Sequence, residues 1–147
     1  TDHNKIIDKI KKFTKRNKNI YFYSSLGKKK YFSLLKLFDG VIGNSSSGII
    51  EVSSFKKGTI NIGERQKGRI QPKSVINCKP IKKEIIIAIK KLISNQFQKK
   101  INHIKNPYFQ KDTENKILKI IKNTNFEKLN KKIFFDYNYN KNNKIRN

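Results

Sequence analysis

Methionine and tryptophan are absent from the 147 residues, cysteine occurs once and proline three times. The lone thiol, Cys78, excludes an internal disulfide framework and suits a reducing compartment, so a cytoplasmic location is expected. No run approaches the ~20 apolar residues that span a bilayer, so no membrane partner is expected. The opening Thr1-Asp2-His3-Asn4-Lys5 has neither an initiator methionine nor the apolar core of a signal peptide. So abrupt a start, close to a helical pattern, is what a chain missing its upstream half would show. Acidic residues are scarce as well: 10, against 35 lysines and arginines. Asp2, Asp8 and Asp39 form no paired-carboxylate arrangement, and His3 and His103 stand isolated. Nothing here assembles an acid–base couple or a metal site.

What is abundant is positive charge, a formal +25. A basic excess invites a nucleic-acid partner. Here the excess is nearly all lysine and travels with isoleucine and asparagine, the residues that A/T-rich codons specify. The lysines run along the whole chain, and no aromatic-basic module is present that would stack and read bases. Background bias on solvated faces is therefore the favoured account, and nucleic acid is not the expected partner. The charge could still help to attract a nucleotide diphosphate.

Hydrophobic residues make up 35% of the chain, and their periodicity argues for a packed domain. Residues 5–13 put Ile6, Ile7, Ile10 and Phe13 on one helical face. The run Ile20-Tyr21-Phe22-Tyr23 reads as a buried strand, and Ser24-Ser25-Leu26-Gly27 breaks it. Residues 31–38 read as a short helix. Gly40-Val41-Ile42 is the next strand, expected at the centre of the sheet, and residues 48–55 form the helix after it. Strands at 59–62 and 74–77 follow. Residues 82–94 make a helix with a stripe of Ile85, Ile86, Ile89, Leu92 and Ile93. Residues 106–109 are a loop, and 112–122 a last helix burying Ile117, Ile120 and Ile121. Alternating strands and helices predict an α/β fold with a parallel sheet. The expected domain covers residues 1–137, with 138–147 a disordered tail.

Ligands of open α/β sheets bind at the carboxyl ends of strands, where loops enter helices. Residues 41–51 have that build. Ser45, Ser46 and Ser47 offer hydroxyl donors, Gly48 lets backbone approach an anion, and a helix start favours negative charge. Glu51 lies about one helical turn on, roughly 5 Å, comparable to the span from a nucleotide's phosphates to its ribose. A carboxylate there can accept from both ribose hydroxyls. Two bland alternatives stay open: the serines may be mere helix caps, and Glu51 a complement to the helix dipole. The loop Gly63-Glu64-Arg65-Gln66-Lys67-Gly68-Arg69 should open on the same edge, its arginines suited to an anion.

Together, Ser25-Leu26-Gly27 with Tyr31-Phe32-Ser33-Leu34-Leu35-Lys36, Val41-Ile42-Gly43-Asn44-Ser45-Ser46-Ser47-Gly48-Ile49-Ile50-Glu51, and Thr59-Ile60-Asn61-Ile62-Gly63-Glu64-Arg65-Gln66-Lys67-Gly68-Arg69 resemble the hydrolysing UDP-N-acetylglucosamine 2-epimerases of sialic-acid-type sugar synthesis. The match runs from about residue 20 to 79, and more loosely to Lys131-Lys132-Ile133-Phe134-Phe135. It departs at Lys57-Gly58-Thr59, where relatives often carry a proline. The resemblance implies the second, Rossmann-like domain of a two-domain GT-B enzyme. Ser45 and Ser46 would contact the diphosphate, with Ser47 and Gly48 completing that turn. Glu51 would contact the ribose, Arg65 the phosphates or their loop, and the backbone at Leu26 the base. The implied reaction converts UDP-GlcNAc to N-acetylmannosamine and UDP without a cofactor, its catalytic carboxylates lying in an absent N-terminal domain. Expected partners are that domain and, at full length, further copies of the enzyme. A GT-B glycosyltransferase is the nearest alternative, and a basic RNA-binding protein a more distant one.

Overall fold

The structure is a computed structural model that describes residues 3–129. The expected tail, the 131–135 motif, Asp2 and the side chain of His3 lie outside what it describes. The chain divides into two compact units, Thr1–Phe109 and Gln110–Asn147.

The first unit is α/β, built on a three-stranded parallel sheet. Helices α1 (His3–Arg16) and α2 (Gly27–Leu37) precede strand β1 (Gly40–Gly43). A short helix α3 (Ser47–Ile50) and a 3-10 turn (Val52–Phe55) lead to β2 (Gly58–Ile62). Strand β3 (Val75–Cys78), α4 (Lys82–Leu92) and α5 (Asn95–Ile101) complete it. The strand order is β1-β2-β3.

Both faces of β2 are covered, which is why its residues are buried up to Asn61. On one face Ile60 and Ile76 pack with Ala88 and Leu92 of α4 and with Phe97 and Ile101 of α5. Each of these side chains larger than Ala88 contributes roughly 1.5–3 kcal/mol by leaving water. On the other, Leu35 of α2, Ile49 of α3 and Val52 are fully buried. Helix α5 was not foreseen, although Ser94 announces it by accepting from the Phe97 N–H at 3.3 Å.

Four expectations are corrected. Residues 20–23 form no strand; Tyr21 is 75% and Tyr23 63% exposed. Their β propensity is real, but a strand exists only where its backbone finds a ladder, and this run has none. With that run unpaired, β1 lies at the sheet edge instead of the centre, and Ile42 is 50% exposed. On α4 the buried line is Ala88 and Leu92, while Ile86, Ile89 and Ile93 remain exposed. The apolar arc of that helix is wider than the sheet strip it covers, so periodicity alone could not choose the facing line. In the second unit α6 (Thr113–Asn123) buries none of its residues, Ile117, Ile120 and Ile121 included.

Candidate functional site

Parallel strands bring all their carboxyl ends to one edge. The last row that spans all three strands is Gly43, Asn61 and Asn77, partners in register. Asn61 is buried and donates to Asn77 Oδ1 at 2.8 Å, and Asn77 in turn donates to Gln71 Oε1 at 2.8 Å. This polar rung fixes the ends of β2 and β3 beneath the loops. At the end of β1, Gly43 has φ +155°, and a Cβ added there would meet nothing within 4 Å. Glycine is therefore required for backbone conformation, which turns the chain off the sheet into the serines.

The serine turn keeps part of its hydrogen-bonding capacity outward. Ser45 Oγ accepts from the Ser47 N–H at 3.3 Å, leaving its own proton free to donate. Ser46 occupies the N-cap position of α3 yet makes no side-chain cap bond. Ser47 Oγ lies 2.9 Å from the Tyr31 hydroxyl. Capping thus accounts for one long contact among the three serines. Because α3 has only four residues, its dipole is far smaller than that of the helix expected over 48–55.

Gly48 takes a different place from the one anticipated. It is buried, and a Cβ there would sit 2.6 Å from the Thr59 methyl. Thr59 Oγ1 also donates to the Gly48 carbonyl at 2.8 Å. The missing side chain lets α3 press against β2, holding the turn close over the sheet edge.

Glu51 is the C-cap residue of α3 and caps nothing with its side chain. It is also the N-cap of the 3-10 turn that follows, so two short dipoles oppose each other at its carboxylate. Among the described residues its half-buried carboxylate makes no ion pair or hydrogen bond. Arg65 is exposed on the loop after β2, likewise without an ion pair among the described residues. The nearby Lys67–Glu64 contact, 3.5 Å long and exposed, adds little.

Leu26 is the N-cap residue of α2 and lines a 420 Å³ cleft with Tyr23, Ser24, Ser25, Gly27, Lys28 and Tyr31. Tyr31 therefore joins this cleft to the serine turn through its bond to Ser47. Gln66 approaches from the other side, donating to the Asn44 carbonyl at 2.8 Å. Sequence reasoning gave neither residue a role. The aromatic at the start of α2 and a glutamine between two cations were the available signals. At the end of β3, Cys78 packs against the core as a small residue. Burial first, then the Glu84 carboxylate, pushes its thiol above the ordinary value. His103 is exposed, and no described helix is long and apolar enough to cross a membrane.

Comparison with known proteins places the chain in a family. The profile of the family described as UDP-N-acetylglucosamine 2-epimerase matches residues 1–122. The polysialic acid biosynthesis protein P7 of Escherichia coli is 40% identical over 114 residues, 78% of this chain and 29% of that protein. The GDP/UDP-N,N'-diacetylbacillosamine 2-epimerase (hydrolyzing) of Campylobacter jejuni is 39% identical over 115 residues, again 78% and 29%. The chain thus spans less than a third of the length of these relatives.

Proposed function

Since the chain belongs to the UDP-N-acetylglucosamine 2-epimerase family, we propose that it is the nucleotide-holding part of a hydrolysing 2-epimerase. The full enzyme would convert UDP-GlcNAc and water to N-acetylmannosamine and UDP, for sialic-acid-type sugar synthesis. The observation that carries this reading is the arrangement at the carboxyl edge of the sheet. Ser45 and Ser46, whose hydroxyl protons go to no described residue, precede a four-residue helix, and Glu51, its carboxylate uncommitted among the described residues, follows roughly 6 Å on along that axis. The serines take the diphosphate, Glu51 the two ribose hydroxyls, Leu26 and its cleft the base, and Arg65 the outer phosphate charge. Ser47 and Gly48 hold the turn, the one through Tyr31 and the other through Thr59.

In the proposed reaction a carboxylate base removes the C2 proton while UDP departs anti from C1, forming a glycal. Water then adds across that double bond, its oxygen to C1 and a proton to C2 on the opposite face. Those carboxylates are assigned to a further domain of the enzyme, which closes over the bound nucleotide. Copies of the enzyme associate at full length, and it works in the cytoplasm without a cofactor.

Calorimetric titration of the 147-residue chain with UDP, GDP and a mixed-sequence RNA tests the reading. GDP is included because the Campylobacter relative is named for GDP- or UDP-linked sugar. Saturable UDP binding that persists at 0.15 M salt, on the order of physiological ionic strength, is expected. RNA binding that falls steeply with salt, with no nucleotide binding, would instead support a polyanion-binding protein.

A further inference from the structure

The nucleotide reading leaves one buried side chain at the site unused. Gln66 is 3% exposed, although its neighbours Arg65 and Lys67 are both exposed. It reaches from the loop after β2 to the loop after β1, where its Nε2 donates to the Asn44 carbonyl at 2.8 Å. A carbonyl only accepts, so that bond sets the orientation of the amide. The other end, Oε1, is then buried with no partner among the described residues. A half-satisfied amide is a costly way to fill space, since methionine would occupy the same volume without the unpaired acceptor.

What the amide holds is the peptide plane between Asn44 and Ser45. In a trans peptide the C=O and the following N–H point in opposite directions. Fixing the Asn44 carbonyl toward Gln66 therefore aims the Ser45 N–H away from Gln66. That N–H has no backbone or side-chain acceptor among the described residues. We propose that Gln66 is a positioning residue for the serine turn, orienting the Asn44–Ser45 peptide so that the Ser45 N–H and the neighbouring hydroxyls meet a ligand's diphosphate. The diphosphate part rests on the nucleotide reading above; the holding of the turn does not. The clamp also sets the spacing between the β1 loop and the Arg65 loop, so both would close on the same anion.

The test is Gln66→Met in the 147-residue chain, followed by amide exchange, thermal unfolding and titration with UDP and uridine. Losing the clamp should speed exchange at Ser47 and Gly48, whose N–H groups bond back to Ser45, while α4 keeps its protection. It should weaken UDP binding about fivefold or more, the worth of one hydrogen bond or better. Uridine binding should not change, because it engages only Glu51 and the Leu26 cleft. The melting temperature should stay near wild type, since the unpaired acceptor disappears together with the bond. A merely structural glutamine would show the reverse: lower stability with equal loss for UDP and uridine, or no loss for either. Unchanged exchange at Ser47 and Gly48 in the variant overturns the proposal. If wild type binds no UDP, the nucleotide reading fails on its own, and exchange still decides whether Gln66 holds the turn. Should the variant not fold, the Gln66 side-chain amide protons of wild type serve instead. Slow exchange of those protons supports the clamp, and free exchange in the folded protein overturns it.

Discussion

Glu51→Gln separates a ribose-binding carboxylate from an incidental one. The exchange keeps side-chain shape and removes a full negative charge. In the free protein that charge has no ion pair or hydrogen bond to lose among the described residues. It sits between the end of α3 and the start of the 3-10 turn, each four residues long, so neither dipole holds it strongly. Stability should therefore move by no more than about 0.5 kcal/mol, as for surface changes that break nothing. Binding should respond differently. A carboxylate accepting from two ribose hydroxyls makes charge-assisted bonds worth roughly 1.5–3 kcal/mol. Their loss weakens UDP by about one to two decades in affinity. The control is a 2′,3′-dideoxy nucleotide: wild type should lose affinity for it, while the variant should scarcely distinguish it from UDP. Titration calorimetry supplies all four affinities, and a thermal melt of each protein supplies the stability term. Equal UDP affinity in the two proteins would falsify the ribose contact. So would a variant whose weaker binding is matched by a comparable loss of stability.

Two further outcomes follow from packing and titration. Gly48→Ala places a Cβ 2.6 Å from the Thr59 methyl and should destabilise by about 1–3 kcal/mol through overpacking. Adding Thr59→Ser, which removes that methyl and keeps the hydroxyl on the Gly48 carbonyl, should recover most of it in urea melts; no recovery means that another contact is at fault. The raised pKa of Cys78 means that the unfolded chain gives up this thiol proton first as pH rises. Its contribution to stability is then full below the ordinary thiol range and lost as pH climbs through the raised value. Cys78→Ala should remove that part of the alkaline slope, so parallel pH–stability curves for wild type and variant would contradict the assignment.

How much was legible in the sequence depended on whether the information was local. The serine turn could be read because strand, glycine, hydroxyls and helix start are consecutive, and turn chemistry is set by neighbouring residues. The loop holding Arg65 and Gln66 was found for the same reason. The contacts joining these pieces could not be read. Gln66 meets Asn44 across 22 residues, and Tyr31 meets Ser47 across 16. Glu51 shows the limit most clearly. Its spacing from the serines was visible, but whether helix dipole or ligand explained it depended on where α3 stops. The helix ends at Ile50, which puts Glu51 between α3 and the 3-10 turn.

The fold divides along the same line. Alternating apolar runs by themselves determined an α/β chain with a parallel sheet, because periodicity is a property of each segment. Which face and which edge each segment occupies was left to tertiary structure. Residues 20–23 have the composition of a strand and remain unpaired, and β1 accordingly takes the edge. Helix α4 presents an apolar arc broad enough for several orientations, and the sheet selected Ala88 and Leu92. Gly48 read as a residue for anion approach, and only the structure adds that Thr59 packs where its side chain would stand. The physical reason is common to all three. Propensity and pattern are summed along the chain, whereas a ladder partner, a buried face or a steric limit belongs to two segments at once. It exists only when they meet.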